Sequence, residues 1–230
     1  MLILDFETRS RCDLPKRGTW NYALDPSTDI ICMAAHDTET EGKWLWYPDH
    51  GPLPENLVYR LLHTDFVVAH NAEFDMGIYE AVGVPDYAFP VIELERWYCS
   101  SAQCRVNALP ASLDDAAWAL GLKTRKFSSG KSLIRKLSIP QADGTFNKDP
   151  DLIKEMGEYC MQDVLVTTNV MAATRVMNQK EHADWLATGR MNERGVLVDL
   201  EMARLALQYA DAEQTEIGVR LEQLTKGEIT

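Results

Sequence analysis

The chain reads as an α/β layered domain with a helical C-terminal extension. Three observations predict this. An apolar, strand-like segment begins almost at the first residue; short apolar runs then alternate with helix-period segments; and most of the remainder has helical periodicity.

Residues 2–6 (Leu-Ile-Leu-Asp-Phe) read as a buried strand. Residues 30–36 (Ile-Ile-Cys-Met-Ala-Ala-His) and 43–47 (Lys-Trp-Leu-Trp-Tyr) read as two more, with a turn at 37–42, which predicts an antiparallel meander. Residues 54–64 carry Leu57, Leu61 and Leu62 at helical spacing behind Pro54, a residue suited to a helix start. Residues 66–70 (Phe-Val-Val-Ala-His) form a short strand, and 72–82 a helix closed by Gly83. Ser112-Leu-Asp-Asp115 has the form of a capped helix start, with Gly121 at the end. A short helix follows over 131–137, and Asp149-Pro150 opens a long one over 151–178. Residues 181–230 are an acidic helical tail, ten acids against five bases, that cannot bury its apolar stripe alone. One domain is expected over 1–180. Residues 181–230 are expected to pack on something else, a partner or a continuation of the chain.

At 230 residues the chain can bury a core without staples. Its 46% apolar and 25% charged residues exclude wholesale disorder and low-complexity classes. No apolar run approaches the roughly 20 residues of a membrane span. Leu2-Ile3-Leu4 meets Asp5 too early for a signal peptide. Five scattered cysteines without a CxxC pair read as buried thiols in a reducing compartment. A cytoplasmic protein without a membrane partner is expected. The net charge of −12 excludes a passive nucleic-acid coat, a class that is usually basic.

Three segments carry paired or buried acids. In Asp5-Phe6-Glu7 the two carboxylates are two apart on a strand, so they project from one face. Side by side they repel unless a cation lies between them, although a solvated strand end explains a lone D-x-E. His70-Asn71-Ala72-Glu73-Phe74-Asp75 joins a buried strand to a helix and puts Asp75 in the first turn, near a strand's carboxyl end, where open α/β sheets bind ligands. A first-turn acid is also favoured by the helix dipole, and Asn71 has the chemistry of an N-cap. Tyr159 and Asp163, four apart, share a helical face with Val166 and Val170, which places an acid on a core-facing side. A buried carboxylate must be neutralised, ion-paired or metal-bound. Four carboxylates without a His/Cys set suit hard cations, Mg²⁺ or Mn²⁺, and fit two such ions better than one zinc.

In these three segments (Leu-Asp-Phe-Glu-Thr, His-Asn-Ala-Glu-Phe-Asp and Tyr-Cys-Met-Gln-Asp) the sequence resembles the DEDD superfamily of 3′–5′ exonucleases. The Y-x-x-x-D form of the third, with Glu158 where the histidine subtype has its His, resembles the tyrosine subtype, which includes proofreading domains of family A (polymerase I-like) DNA polymerases. The resemblance covers about residues 1–178 and implies a ribonuclease-H-like fold, a mixed five-stranded sheet flanked by helices. Asn192-Glu-Arg-Gly-Val-Leu-Val-Asp199 resembles the segment leading into a family A polymerase thumb, and 96–99 with 113–122 look most like phage members.

The resemblance implies two-metal hydrolysis of the terminal phosphodiester at a single-stranded DNA 3′ end. Asp5 would be the ligand shared by both ions, Glu7 and Asp163 would complete one site, and Asp75 would act on the second. Tyr159 would orient the attacking water; with a pKa near 10 it is a poor base. Thr8, Asn71 and Phe74 would support the site or position substrate, and core packing explains Phe74 equally well. The implied partners are a DNA 3′ end and a polymerase domain, in cis or in trans, in a bacterial cell or phage-infected host. A stand-alone exoribonuclease shares the motifs, and a catalytically silent scaffold shares the fold but is expected to have lost acids.

The charge distribution suits a polyanionic substrate. Residues 123–136 contain Lys123, Arg125, Lys126, Lys131, Arg135 and Lys136, and 119–142 contain no acid, which leaves the rest of the chain at −18. Such a strip can hold a phosphate backbone, with Lys123, Arg125, Lys126 and Lys131 as the candidate contacts, or be a solvated loop. Trp97, Tyr98 and Phe127 are candidates to stack on unpaired bases, against core packing for most tryptophans, Trp118 and Trp185 included. Ser129-Gly130-Lys131-Ser132 is not a nucleotide loop, because Arg125 stands where its first glycine belongs.

Overall fold

The computed structural model of the chain describes residues 1–127 and 130–228. Ser129, the first residue of the rejected nucleotide-loop reading, lies outside them. The described chain forms two compact units, Met1–Ala187 and Thr188–Thr230.

In the first unit the order of elements is β1 (Leu2–Arg9), α1 (Leu14–Ala23), β2 (Asp29–Asp37), β3 (Lys43–Trp46), α2 (Glu55–His63), β4 (Val67–Ala69), α3 (Glu73–Ile78), α4 (Val84–Tyr87), β5 (Trp97–Cys99), α5 (Ser100–Val106), α6 (Leu113–Ala119), α7 (Gly130–Leu137) and α8 (Pro150–Ala173). The sheet order is β3-β2-β1-β4-β5. β1 is antiparallel to β2, and β2 to β3, as the meander predicts; β4 and β5 are added parallel. This is the mixed five-stranded, helix-flanked sheet of a ribonuclease-H-like fold.

The two faces of β1 set the layers. Leu2, Leu4 and Phe6 join a core with Leu57, Leu61, Ile78, Tyr79 and Trp97. Ile3 faces the opposite way, into a core with Cys32, Ala34, Val68, Met156, Tyr159, Cys160 and Val164. Alternation along the strand therefore puts Asp5 and Glu7 on the face covered by α8. A bulge at Glu7/Thr8 shifts the β1–β2 register where β1 leaves the core, a device that re-aims side chains.

Several local expectations are corrected. Gly83 does not close the helix after β4: its φ is −59°, and the chain continues through a wide turn (Tyr79–Gly83) into α4, ending at Ala88 in a left-handed conformation. The glycine is needed for space, since a Cβ there would lie 2.5 Å from the Phe89 ring. α8 stops at Ala173 rather than 178; an extended stretch then leads to α9 (Gln179–Arg194). α1, α5 and the three-residue β5 had no periodic signal. Trp97 and Tyr98 are strand residues buried in the two cores, so they are not free to stack on bases. Trp118 is the reverse case, 73% exposed. All five cysteines are free thiols, four of them buried.

The first unit runs to Ala187 and includes the start of α9, where His182 reaches the Trp97 carbonyl at 3.2 Å and Trp185 packs against the core. The second unit contains α10 (Leu200–Thr225), capped by the Asp199 side chain on the Met202 N–H. Its apolar residues, among them Leu205, Tyr209, Ile217 and Leu224, are exposed. No described helix is long and apolar enough to cross a membrane.

Candidate metal centre

The α8 face of the sheet brings three acids together. One carboxylate oxygen each from Asp5, Glu7 and Asp163 lies within 4.8 Å of the others. Asp5 and Glu7 come from β1; Asp163 comes from α8, on the same face as Cys160, whose thiol donates to the Asp5 carbonyl at 3.2 Å and to its carboxylate at 3.5 Å. Glu7 and Asp163 are buried, and Asp5 keeps partial solvent contact.

Asp75 is not one of these three but holds the same strand. β4 pairs with β1 only at Leu2 and Ile3, and farther along β1 the Phe6 N–H donates to Asp75 Oδ1 at 3.2 Å. Asp75 is buried and feels the Asp5 charge.

Electrostatically the site is under tension. Burial and then the Asp163 charge raise the Asp5 pKa from 3.8 to about 7. Burial first, then Asp5, hold Glu7 and Asp75 well above the usual carboxylate range. Asp163 is raised by burial, against the pull of Lys126. Lys126 Nζ lies 2.5 Å from Asp163 Oδ2 and 5.3 Å from the Tyr159 ring centroid. The Tyr159 hydroxyl joins this pair by hydrogen bonding, and burial raises its pKa, so it stays protonated and donates.

The donor set fits a hard divalent cation. All three ligating groups are carboxylates, and the second oxygen of Asp163, Oδ1, is buried without a hydrogen-bond partner among the described residues. One lysine does not balance four acids, and an orphaned carboxylate oxygen beside two others is what a cation satisfies.

The remaining candidates divide. The Thr8 hydroxyl pairs with Tyr22 at 2.8 Å, and Phe74 packs on the Tyr22 ring. Asn71 is exposed in a left-handed conformation (φ 64°) at the strand–helix joint, and Ala72, not Asn71, is the cap. Arg125 spends its guanidinium on the Leu122 and Asp114 carbonyls. Lys126 is committed to Asp163, while Lys123 and Lys131 are exposed.

Sequence reading missed four contributors. Cys160 had a usable signal, lying three residues before Asp163 on the same face. Lys126 as a partner of Asp163, Gln162 holding the Arg125 carbonyl at 2.6 Å, and Gly130 against Tyr159 had none. A Cβ at Gly130 would fall 2.6 Å from the ring's Cζ, so only glycine lets α7 start against that phenol.

No protein-family model matches the chain. Over 97% of its length it is 26% identical to a DNA polymerase of Bacillus phage SP02, and it spans about a third (36%) of that polymerase.

Proposed function

We propose that the chain is a metal-dependent 3′–5′ exonuclease acting on DNA and proofreading for a DNA polymerase. The observation that carries the reading is the convergence of Asp5, Glu7 and Asp163 with an unpartnered, buried Asp163 oxygen. The likeness to a phage DNA polymerase supports the polymerase setting. In this reading residues 1–180 are the nuclease and 181–230 the segment leading toward a polymerase thumb.

Asp5, Glu7 and Asp163 would hold two Mg²⁺ or Mn²⁺ ions, with Asp75 contributing to the second. When bound, the ions stabilise charge on the scissile phosphate and ease deprotonation of the attacking water. Tyr159, protonated, donates a hydrogen bond that orients that water and does not act as the base. Asp75 holds the Phe6 backbone and, with it, the placement of Asp5 and Glu7. Lys123 and Lys131, exposed in the basic segment, supply salt-dependent attraction for the strand.

The test is Mg²⁺-dependent release of deoxynucleoside monophosphates from the 3′ end of a single strand. Asp5→Ala with Glu7→Ala abolishes it while circular dichroism stays that of the wild type. Equal digestion by wild type and double mutant overturns the assignment. Parallel RNA strands separate it from an exoribonuclease.

A further inference from the structure

Trp118 is 73% exposed and Phe127 48% exposed, a costly display for large rings. Both belong to segments that reach Asp163. α6 buries Leu113, Ala116 and Ala117 against Val166 and Val170 of α8, one and two turns beyond Asp163. Its opposite face carries Asp114 and, one turn on, Trp118. The Asp114 carbonyl accepts from Arg125 at 3.3 Å, and its carboxylate adds to the field at Asp163. Phe127 directly follows Lys126, the partner of Asp163. Trp118 and Phe127 thus bracket Lys123, Arg125 and Lys126 in sequence, and from 119 to 142 the chain carries no acid. A protein-docking face is a contiguous apolar patch. Isolated rings interleaved with cations match the alternation of bases and phosphates in an unpaired strand.

We infer that Trp118 and Phe127 are stacking platforms for unpaired bases entering the acid cluster, with Trp118 the larger. This rests on the proposed nuclease function and deepens it: ring stacking requires unpaired bases, so the pair selects a frayed end over a closed duplex.

The test measures fluorescence anisotropy of a short fluorescein-labelled oligothymidylate titrated with the chain in EDTA, where nothing is cleaved. Trp118→Ala weakens binding by roughly 5- to 160-fold, the range for loss of one stacked base. Phe127→Ala weakens it less, and Trp118→Phe restores most of the loss. Blunt duplex affinity does not change. At saturating concentration, where loss of stacking on its single base no longer counts, hydrolysis of the p-nitrophenyl ester of thymidine 5′-monophosphate with Mn²⁺ is the same in wild type and Trp118→Ala. Unchanged strand affinity in Trp118→Ala overturns the inference, as does an equal loss of ester hydrolysis or a dimer that the substitution dissolves. Failure of the wild type to hydrolyse the ester or digest a strand instead defeats the nuclease reading.

Discussion

Neutralising Asp5 should stabilise the metal-free protein while destroying its metal site. Burial and the Asp163 charge hold the Asp5 pKa at about 7, against 3.8 ordinarily. The folded state therefore keeps a proton up to about pH 7 that the unfolded chain releases near pH 4. Across that window the fold binds more protons, and metal-free stability falls as pH rises. A difference of about three units at 1.36 kcal/mol each is about 4 kcal/mol by pH 8, an upper limit because Asp5 keeps partial solvent contact. Asn fills the same space without charge. In EDTA at pH 8, Asp5→Asn should exceed wild type by up to about 4 kcal/mol, roughly 10 °C in Tm for a unit of this size. At pH 4 the two should coincide. Adding Mn²⁺ should raise the wild type and leave the variant nearly unmoved. Urea melts followed by tryptophan fluorescence at both pH values decide it. An Asp5→Asn protein less stable than wild type at pH 8 in EDTA refutes the claim that the acids are in mutual tension.

Three further outcomes are expected. Lys126→Met removes the countercharge of Asp163 and lowers the unfolding free energy in EDTA by up to about 3 kcal/mol for a largely buried pair; saturating Mn²⁺ should shrink the deficit, and a deficit unchanged by metal contradicts the role. Gly130→Ala pushes on the Tyr159 ring, so kcat on the single strand should drop at least tenfold with KM nearly constant, and the drop should vanish in a Tyr159→Phe background if the glycine acts through the phenol. Burial lowers the His70 pKa to about 4, with Nε2–H on the Ala111 carbonyl and Nδ1 accepting from Ser100. The unfolded chain takes up that proton first as pH falls from about 6.5 to 4, so His70 subtracts up to about 3 kcal/mol across this window, opposite in sign to Asp5. His70→Gln should flatten that acid limb in pH-dependent melts.

The meander, the strand leading into His70–Asp75 and the long acid-bearing helix were legible because each rests on local periodicity. Leu2, Leu4 and Phe6 alternate with Ile3, Asp5 and Glu7, and that alternation alone assigns the acids to one face. β5 was not legible: three residues have no period, and Trp-Tyr-Cys reads equally as a strand or as surface rings. Only the parallel partner β4, thirty residues away in sequence, decides that Trp97 is core. Gly83 failed for a related reason. A glycine signals backbone freedom, yet here it is selected for the space taken by Phe89, whose position is set by the tertiary fold.

The site shows the same division between local chemistry and long-range placement. Asp5, Glu7, Asp75, Tyr159 and Asp163 announce themselves by residue type, because carboxylates on apolar faces are costly and need a reason. Lys126 does not, since a lysine in a basic loop costs nothing and its partner lies in a helix 37 residues on. Its pairing with Asp163 also revises what the basic strip means. Of the six bases in 123–136, Lys126 answers an acid and Arg125 binds carbonyls, so fewer charges face a strand than the count suggests. A strip thinned in this way grips phosphates more weakly, and affinity for an unpaired end then needs another source. On the inference above, the exposed rings of Trp118 and Phe127, which bracket three of those cations in sequence, provide one that duplex DNA cannot use.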